Sequence, residues 1–250
     1  MRSFVIILNP IMPSLIDSLA KNIFQKATVA SKQLIAPHVY HIRIQSDALK
    51  GYVHIPGDHL RLFVGIDRDT ALNSKLRTYS VWDHDRVHGT IDMAVCMHST
   101  GIGAVWAEQV RPGDAIHYMG PKGKLTIDPA ADSSLMICDP SALSHMYAIG
   151  RQISGGRKNY GIVYAADPSD HYADIDGSKP FSFFRLDYDP TQKLIDAANN
   201  LKTSLSAKPT IYLAGDARVC KSLGRFFKEN WPDAAVRSRG FWMPGKVGMD

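Results

Sequence analysis

Arg77-Thr78-Tyr79-Ser80 is the segment whose residue types say most about chemistry. On a strand, alternation puts Arg77 and Tyr79 on one face and Thr78 and Ser80 on the other. A guanidinium presents a fork that matches a phosphate, and a phenol offers a flat surface to a heteroaromatic ring. Together they suit a dinucleotide flavin, held by pyrophosphate and ring at once. The same four residues also suit an edge strand with an exposed arginine.

A second segment points the same way. In His98-Ser99-Thr100-Gly101-Ile102-Gly103-Ala104-Val105-Trp106-Ala107, glycines and small residues lead into a predicted helix. Free backbone N–H groups and the helix dipole make such an entry an anion site, and glycine lets a phosphate approach closely. The plainer reading is a glycine-containing loop with Trp106 in the core. Two separate phosphate-suited elements in one half of the chain favour the dinucleotide.

These residues need a scaffold. From Ala27 to about Asp128 the chain reads as short strands near 41–44, 60–64, 78–82 and 91–97. Gly57-Asp58 and Pro112-Gly113-Asp114 mark turns, and a helix over 104–110 interrupts. This pattern predicts a small antiparallel barrel. From Ser133 the pattern alternates: strands near 135–138, 161–164, 181–184, 210–213 and 234–238, with helices through Leu143, Met146 and Ile149, near 191–199, and over 219–230. Alternation predicts a parallel sheet in an α/β unit. The expected divisions are an N-terminal extension helix (1–26), a β-barrel (27–130) and an α/β domain (131–250). In the extension, Leu15, Ile16, Leu19, Ile23 and Phe24 have helical spacing. Asn9-Pro10 and Pro13 break the apolar stretch, which argues for a helix over an export signal.

Composition excludes several classes. Of 250 residues, 45% are hydrophobic and 21% charged, ordinary globular usage. Lys and Arg number 29 against 24 Asp and Glu, a net +5 that suits anionic small ligands but is too weak to imply nucleic acid. Cys96, Cys138 and Cys220 are scattered and form no C-x-x-C pair, so no thiolate metal site is expected and a reducing, cytoplasmic setting fits. His84 and His88 fall between predicted strands, where their spacing is not a ligand spacing. No Gly-x-Ser-x-Gly elbow, P-loop or membrane-length apolar run occurs.

Arg77-Thr78-Tyr79-Ser80, His98 through Ala107, Pro112-Gly113-Asp114, Ala214-Gly215-Asp216 and Gly240-Phe241-Trp242-x-x-Gly245 occur in one order and spacing. The set resembles the siderophore-interacting proteins, FAD-dependent ferric-siderophore reductases of the vibriobactin-utilisation type. These belong to the ferredoxin–NADP reductase-like flavoproteins. The resemblance implies an FAD-binding barrel and an NAD(P)H-binding-like α/β domain. It implies that Arg77 binds the pyrophosphate, Tyr79 stacks on the isoalloxazine, and Ser80, next to Thr78, lies near flavin N5 as the catalytic residue. His98 and Thr100 would border the FAD, and Gly101, Ile102, Gly103 and Ala104 would offer N–H groups to phosphate. Asp139, Ser141, Gly215 and Asp216 match loops on the nicotinamide side, and Trp242 matches a C-terminal aromatic near the flavin.

The chain departs from the family pattern at Gly101-Ile102-Gly103-Ala104, where Gly-Pro-Ala is usual, and at Cys138-Asp139-Pro140-Ser141, where Gly-Asp-Glu-Thr is usual. The second change leaves the donor open between NADPH, NADH and a ferredoxin. Anionic ferric siderophores would be met by cations beside the motifs: Lys75, Lys124, Arg237, Arg239 and Lys246. The expected function is FAD-dependent reduction of a ferric siderophore to release Fe(II), by a monomer with no membrane span. The alternatives are a flavin or siderophore carrier without turnover, and an FAD reductase with another acceptor.

Overall fold

Strand β6 (Thr90–Cys96) is covered on both faces, and the architecture explains why. Ile91, Met93 and Val95 point into one apolar core, while Ala94 and Cys96 point into another. The strand is a seam between two layers, so both of its faces are covered, and the buried Asp92 is held there by His41 and Arg43. The computed structural model describes residues 24–65, 75–97, 101–153, 157–186 and 190–246.

The first core is enclosed by an antiparallel sheet. Its strands are β1 (Gln25–Ala36), β2 (Val39–Gln45), β3 (Asp58–Phe63), β4 (Leu76–Ser80), β5 (Asp83–Asp85), β6 and β7 (Ala115–Gly123). Among the described residues they lie in the order β4-β3-β7-β1-β2-β6-β5. A flat sheet of this width would separate β4 from β5 by roughly 29 Å. Only Val81 and Trp82 join those two edge strands, a reach of roughly 10 Å. The sheet therefore curls until its edges meet. The Trp82 N–H bonds to the Asp92 carbonyl of β6 at 2.8 Å, which ties the connection across the gap. The expected strand at 78–82 is thus displaced to Leu76–Ser80, because Trp82 leaves the sheet for the shared core. Helix α1 (Ile102–Gln109) follows β6.

The second sheet is parallel, in the order β10-β9-β8-β11-β12 among the described residues. Its members are β8 (Ser133–Cys138), β9 (Lys158–Ala165), β10 (Ser182–Arg185), β11 (Thr210–Asp216) and β12 (Ala235–Trp242). β8 and β11 are buried along their whole lengths. Helix α2 (Pro140–Gln152) covers one face, packing on Met136, Cys138, Tyr212 and Ala214. Helices α3 (Thr191–Leu201) and α4 (Ala217–Asn230) cover the other, over Leu135, Ile137, Ile211 and Leu213. Burial on both faces is why these strands read as continuous apolar runs. The strand order reverses between β8 and β11, and a crevice for ligands opens beyond the carboxyl ends of strands at such a reversal.

Ala36, Val39, Trp82, Ala94 and Leu125 from the first half share one core with Met136, Leu143, Met146, Tyr147 and Phe181 from the second. The expected N-terminal helix (1–26) lies outside the described residues up to residue 23. Phe24 packs on Phe63 at 5.6 Å between ring centroids, and Gln25 and Lys26 begin β1 instead of ending a helix, because they pair with Tyr118 and His117 of β7.

Candidate functional site

The two phosphate-suited segments do meet. β4 carries Arg77 and Tyr79 to the entry of α1. A Cβ added at Gly103 would stand 2.6 Å from the Tyr79 hydroxyl oxygen and 3.2 Å from Arg77 Cγ, so only glycine fits. Gly101 caps α1 without a side-chain bond, and the Val105 N–H already reaches the Gly101 carbonyl at 3.1 Å. The N–H groups of Ile102, Gly103 and Ala104 precede that first helical bond and have no acceptor within the helix. A guanidinium, a phenol and a helix entry in one place form a cradle that fits a pyrophosphate with its attached ring system. Tyr79 packs on Trp106 at 5.9 Å, and burial raises its hydroxyl pKa. His98 and Thr100 lie outside the described residues.

Ser80 ends β4 at a different pocket. Its Oγ is 3.0 Å from His145 Nδ1, and His145 Nε2 is 2.8 Å from the Leu125 carbonyl. This small pocket, about 40 Å³, is also walled by Thr78 and by Arg239, Gly240 and Phe241 of β12. Phe241 meets the His145 ring edge-on at 5.3 Å. Burial lowers the His145 pKa to about 4; nearby His59, Arg239 and His54 add to this, and the Leu125 carbonyl opposes it.

Ser141, Gly215 and Asp216, matched to the nicotinamide side, and Trp242, matched to the flavin side, converge on the Asp139 carboxylate. Asp139 caps α2 and accepts four hydrogen bonds: from Ser141 N–H at 2.9 Å, from the Ser141 hydroxyl, from Asp216 N–H at 2.7 Å and from Trp242 Nε1 at 2.8 Å. Gly215 must be glycine, because its φ is +121° and a Cβ would lie 2.3 Å from Asp139 Oδ2. Burial raises the Asp139 carboxyl pKa against the pull of these donors. Asp216 caps α4 and holds the Arg218 guanidinium at 2.6 Å. Asp139, Asp216 and Trp242 line a cavity of about 800 Å³ at the switch point between β8 and β11. Tyr164, at the end of β9, lines it too. It is 8% exposed, and its hydroxyl has no hydrogen-bond partner among the described residues. A cavity of this size with polar groups in its lining fits a polar ligand such as a nicotinamide nucleotide.

The expected cations scatter. Arg239 walls the Ser80 pocket, and Lys124 and Lys246 are exposed. Arg237 instead pairs with Asp128 at 3.0 Å. Lys75, expected among the cations that meet the siderophore, is 1% exposed, with Nζ 6.0 Å from the centre of the Phe63 ring. Burial raises the pKa of all three thiols, that of Cys220 to about 12. His88 is bonded to Asp85 at 2.6 Å and His84 to the Leu49 carbonyl at 3.0 Å.

Sequence reasoning missed His145 and Tyr164. A single histidine within an apolar helix face carries no spacing signal, and Tyr164 looks like one more residue of a buried strand. The strand order alone could have singled out Tyr164, as a polar side chain at the carboxyl end of β9.

Comparison with known proteins gives two family matches. One is to the siderophore-interacting FAD-binding domain, over residues 66–125, and the other to the siderophore-interacting protein, over residues 131–245. Together they span more than half of the chain. A curated relative, the NADPH-dependent ferric-chelate reductase of Escherichia coli K12, is 25% identical over 88% of this chain and 92% of its own length. The solved siderophore-interacting protein of Acinetobacter baumannii superposes with a TM-score of 0.72 at 19% identity, covering 88% of this chain and 90% of that one. Phthalate dioxygenase reductase gives 0.70 at 20% identity, covering 89% of this chain and 70% of that one. At these identities the two structures speak to the fold alone.

Proposed function

The chain belongs to the siderophore-interacting family of FAD-binding oxidoreductases, and from that premise we propose that it reduces ferric siderophores, taking electrons from NAD(P)H and freeing iron as Fe(II). In this reading residues 27–130 hold the FAD and residues 131–250 receive the donor. One observation carries it. Consecutive residues of β12 serve both sites: Phe241 walls the Ser80 pocket and Trp242 the Asp139 cavity. The Ser80 pocket and the donor cavity then share a wall, as electron transfer between two bound ligands requires.

When bound, FAD accepts an electron pair from a nicotinamide and passes electrons singly to Fe(III). The chain's own residues bind and orient. Arg77 and the entry of α1 hold the pyrophosphate, and Tyr79 bounds the ring system. Thr78 and Ser80 line the pocket at the reacting end of that ring system. Asp139 fixes Trp242 and the Asp216 loop beside the cavity, and Tyr164 walls it. Arg239, Lys124 and Lys246 attract an anionic siderophore, and its iron stays a substrate held by the siderophore's own oxygens. The name of the Escherichia coli relative supports a nicotinamide donor.

Steady-state turnover with a ferrous-iron trap tests this. The expected result is Fe(II) formation from a ferric siderophore with NADPH or NADH as the only reductant. Turnover with reduced ferredoxin alone would remove the nicotinamide part. FAD binding without turnover from any donor would favour the carrier.

A further inference from the structure

The pocket at Ser80 contains a side chain with no assigned task. His145 is 2% exposed and both of its ring nitrogens are engaged, at 2.8 Å to the Leu125 carbonyl and at 3.0 Å to Ser80 Oγ. A carbonyl only accepts, so Nε2 carries the hydrogen. Burial keeps the ring neutral near pH 7, and Nδ1 therefore keeps its lone pair. The one hydrogen on the Ser80 hydroxyl must then point at His145. Phe241, edge-on at 5.3 Å, blocks rotation of the ring.

We propose that His145 is a positioning residue that holds the Ser80 hydrogen to its own ring nitrogen, so that Ser80 presents only acceptor lone pairs to the rest of the pocket. The consequence rests on the flavin reading of the site; the orientation does not. The central ring nitrogen of a flavin has a lone pair when oxidised and an N–H when reduced. A fixed acceptor beside it favours the reduced form. A freely turning hydroxyl could satisfy either form and would remove that bias. His145, which lines the same pocket as Ser80, thus raises the midpoint potential of FAD held there by fixing the Ser80 hydrogen.

Two measurements test this. Nitrogen-15 NMR of histidine-labelled protein without FAD reads the orientation directly. The expected state is the Nε2–H tautomer from about pH 5.5 to about pH 8. An Nδ1–H tautomer, or a protonated ring in that range, overturns the proposal. The second compares midpoint potentials of the FAD-loaded His145→Asn and His145→Leu variants. Asn keeps an acceptor for the Ser80 hydroxyl, and Leu does not. The expected result is a negative shift for His145→Leu, near wild-type behaviour for His145→Asn, and no difference between the two in a Ser80→Ala background. Equal shifts in both variants, as a general packing defect would give, count against it. A chain that takes up no FAD defeats the flavin reading, and the tautomer measurement alone then decides the role of His145.

Discussion

Four donors on Asp139 make it the residue on which the second half of the site depends. Asp139→Ala removes the cap of α2 and leaves the Asp216 N–H and the Trp242 indole without their acceptor. The expected cost is roughly 3–5 kcal/mol in urea denaturation. Asp139→Asn keeps the shape but turns an amide donor towards other donors, so it should recover only part of this. His145 gives the pH dependence. Burial lowers its pKa and that of His54 to about 4. Between about 4 and 6.5 the unfolded chain therefore binds more protons than the folded one. Stability is full above about pH 6.5 and falls as the pH drops towards 4. His145 alone should account for roughly 3 kcal/mol of that loss. Denaturation midpoints at several pH values should show a shallower slope for His145→Asn. At this scale the motif residues Asp139, Ser141, Gly215, Asp216 and Trp242 were legible, but their common partner was not. Hydrogen bonds between residues a hundred positions apart leave no local pattern.

Among the elements, β4 and the entry of α1 make the sharpest prediction. Gly103→Ala puts a methyl group against Tyr79 and Arg77, yet alanine improves a helix over glycine by about 1 kcal/mol. The clash should at least offset that gain, so the variant should be no more stable than the wild type, while FAD affinity falls on the order of tenfold, about 1.4 kcal/mol. Equilibrium titration with FAD beside thermal melts would separate the two effects; unchanged affinity would remove α1 from the cradle. Gly215→Ala works in one direction only, because positive φ and the Asp139 carboxylate both oppose a side chain. A loss of at least about 2 kcal/mol is expected in urea denaturation. The class of each half was readable from periodicity, since half-buried strands alternate and doubly covered strands do not. The displacement of β4 by two residues was not. Thr78 to Trp82 is β-branched or aromatic at every position but Ser80, and only the closing of the curled sheet pulls Trp82 out of the strand.

The whole molecule is joined by polar contacts as well as by a common core. Arg151 of α2 bonds the Trp82 carbonyl at 2.5 Å and Asp83 at 3.3 Å, and it pairs with Asp174. Trp82 in turn donates to Asp174 at 2.7 Å. Both halves should therefore unfold in one transition, with circular dichroism and tryptophan fluorescence coinciding. Arg151→Ala strands the buried Asp174 carboxylate and should cost roughly 3–5 kcal/mol. The joining also fixes function, because the Ser80 pocket takes walls from both halves. The most direct test of that is anaerobic spectroscopy of the FAD-loaded protein through one cycle. Adding NADPH or NADH should bleach the visible flavin bands. A ferric siderophore added next should restore them, with iron appearing in a ferrous chelator in proportion. A flavin that bleaches and stays bleached when the ferric siderophore arrives would contradict the account.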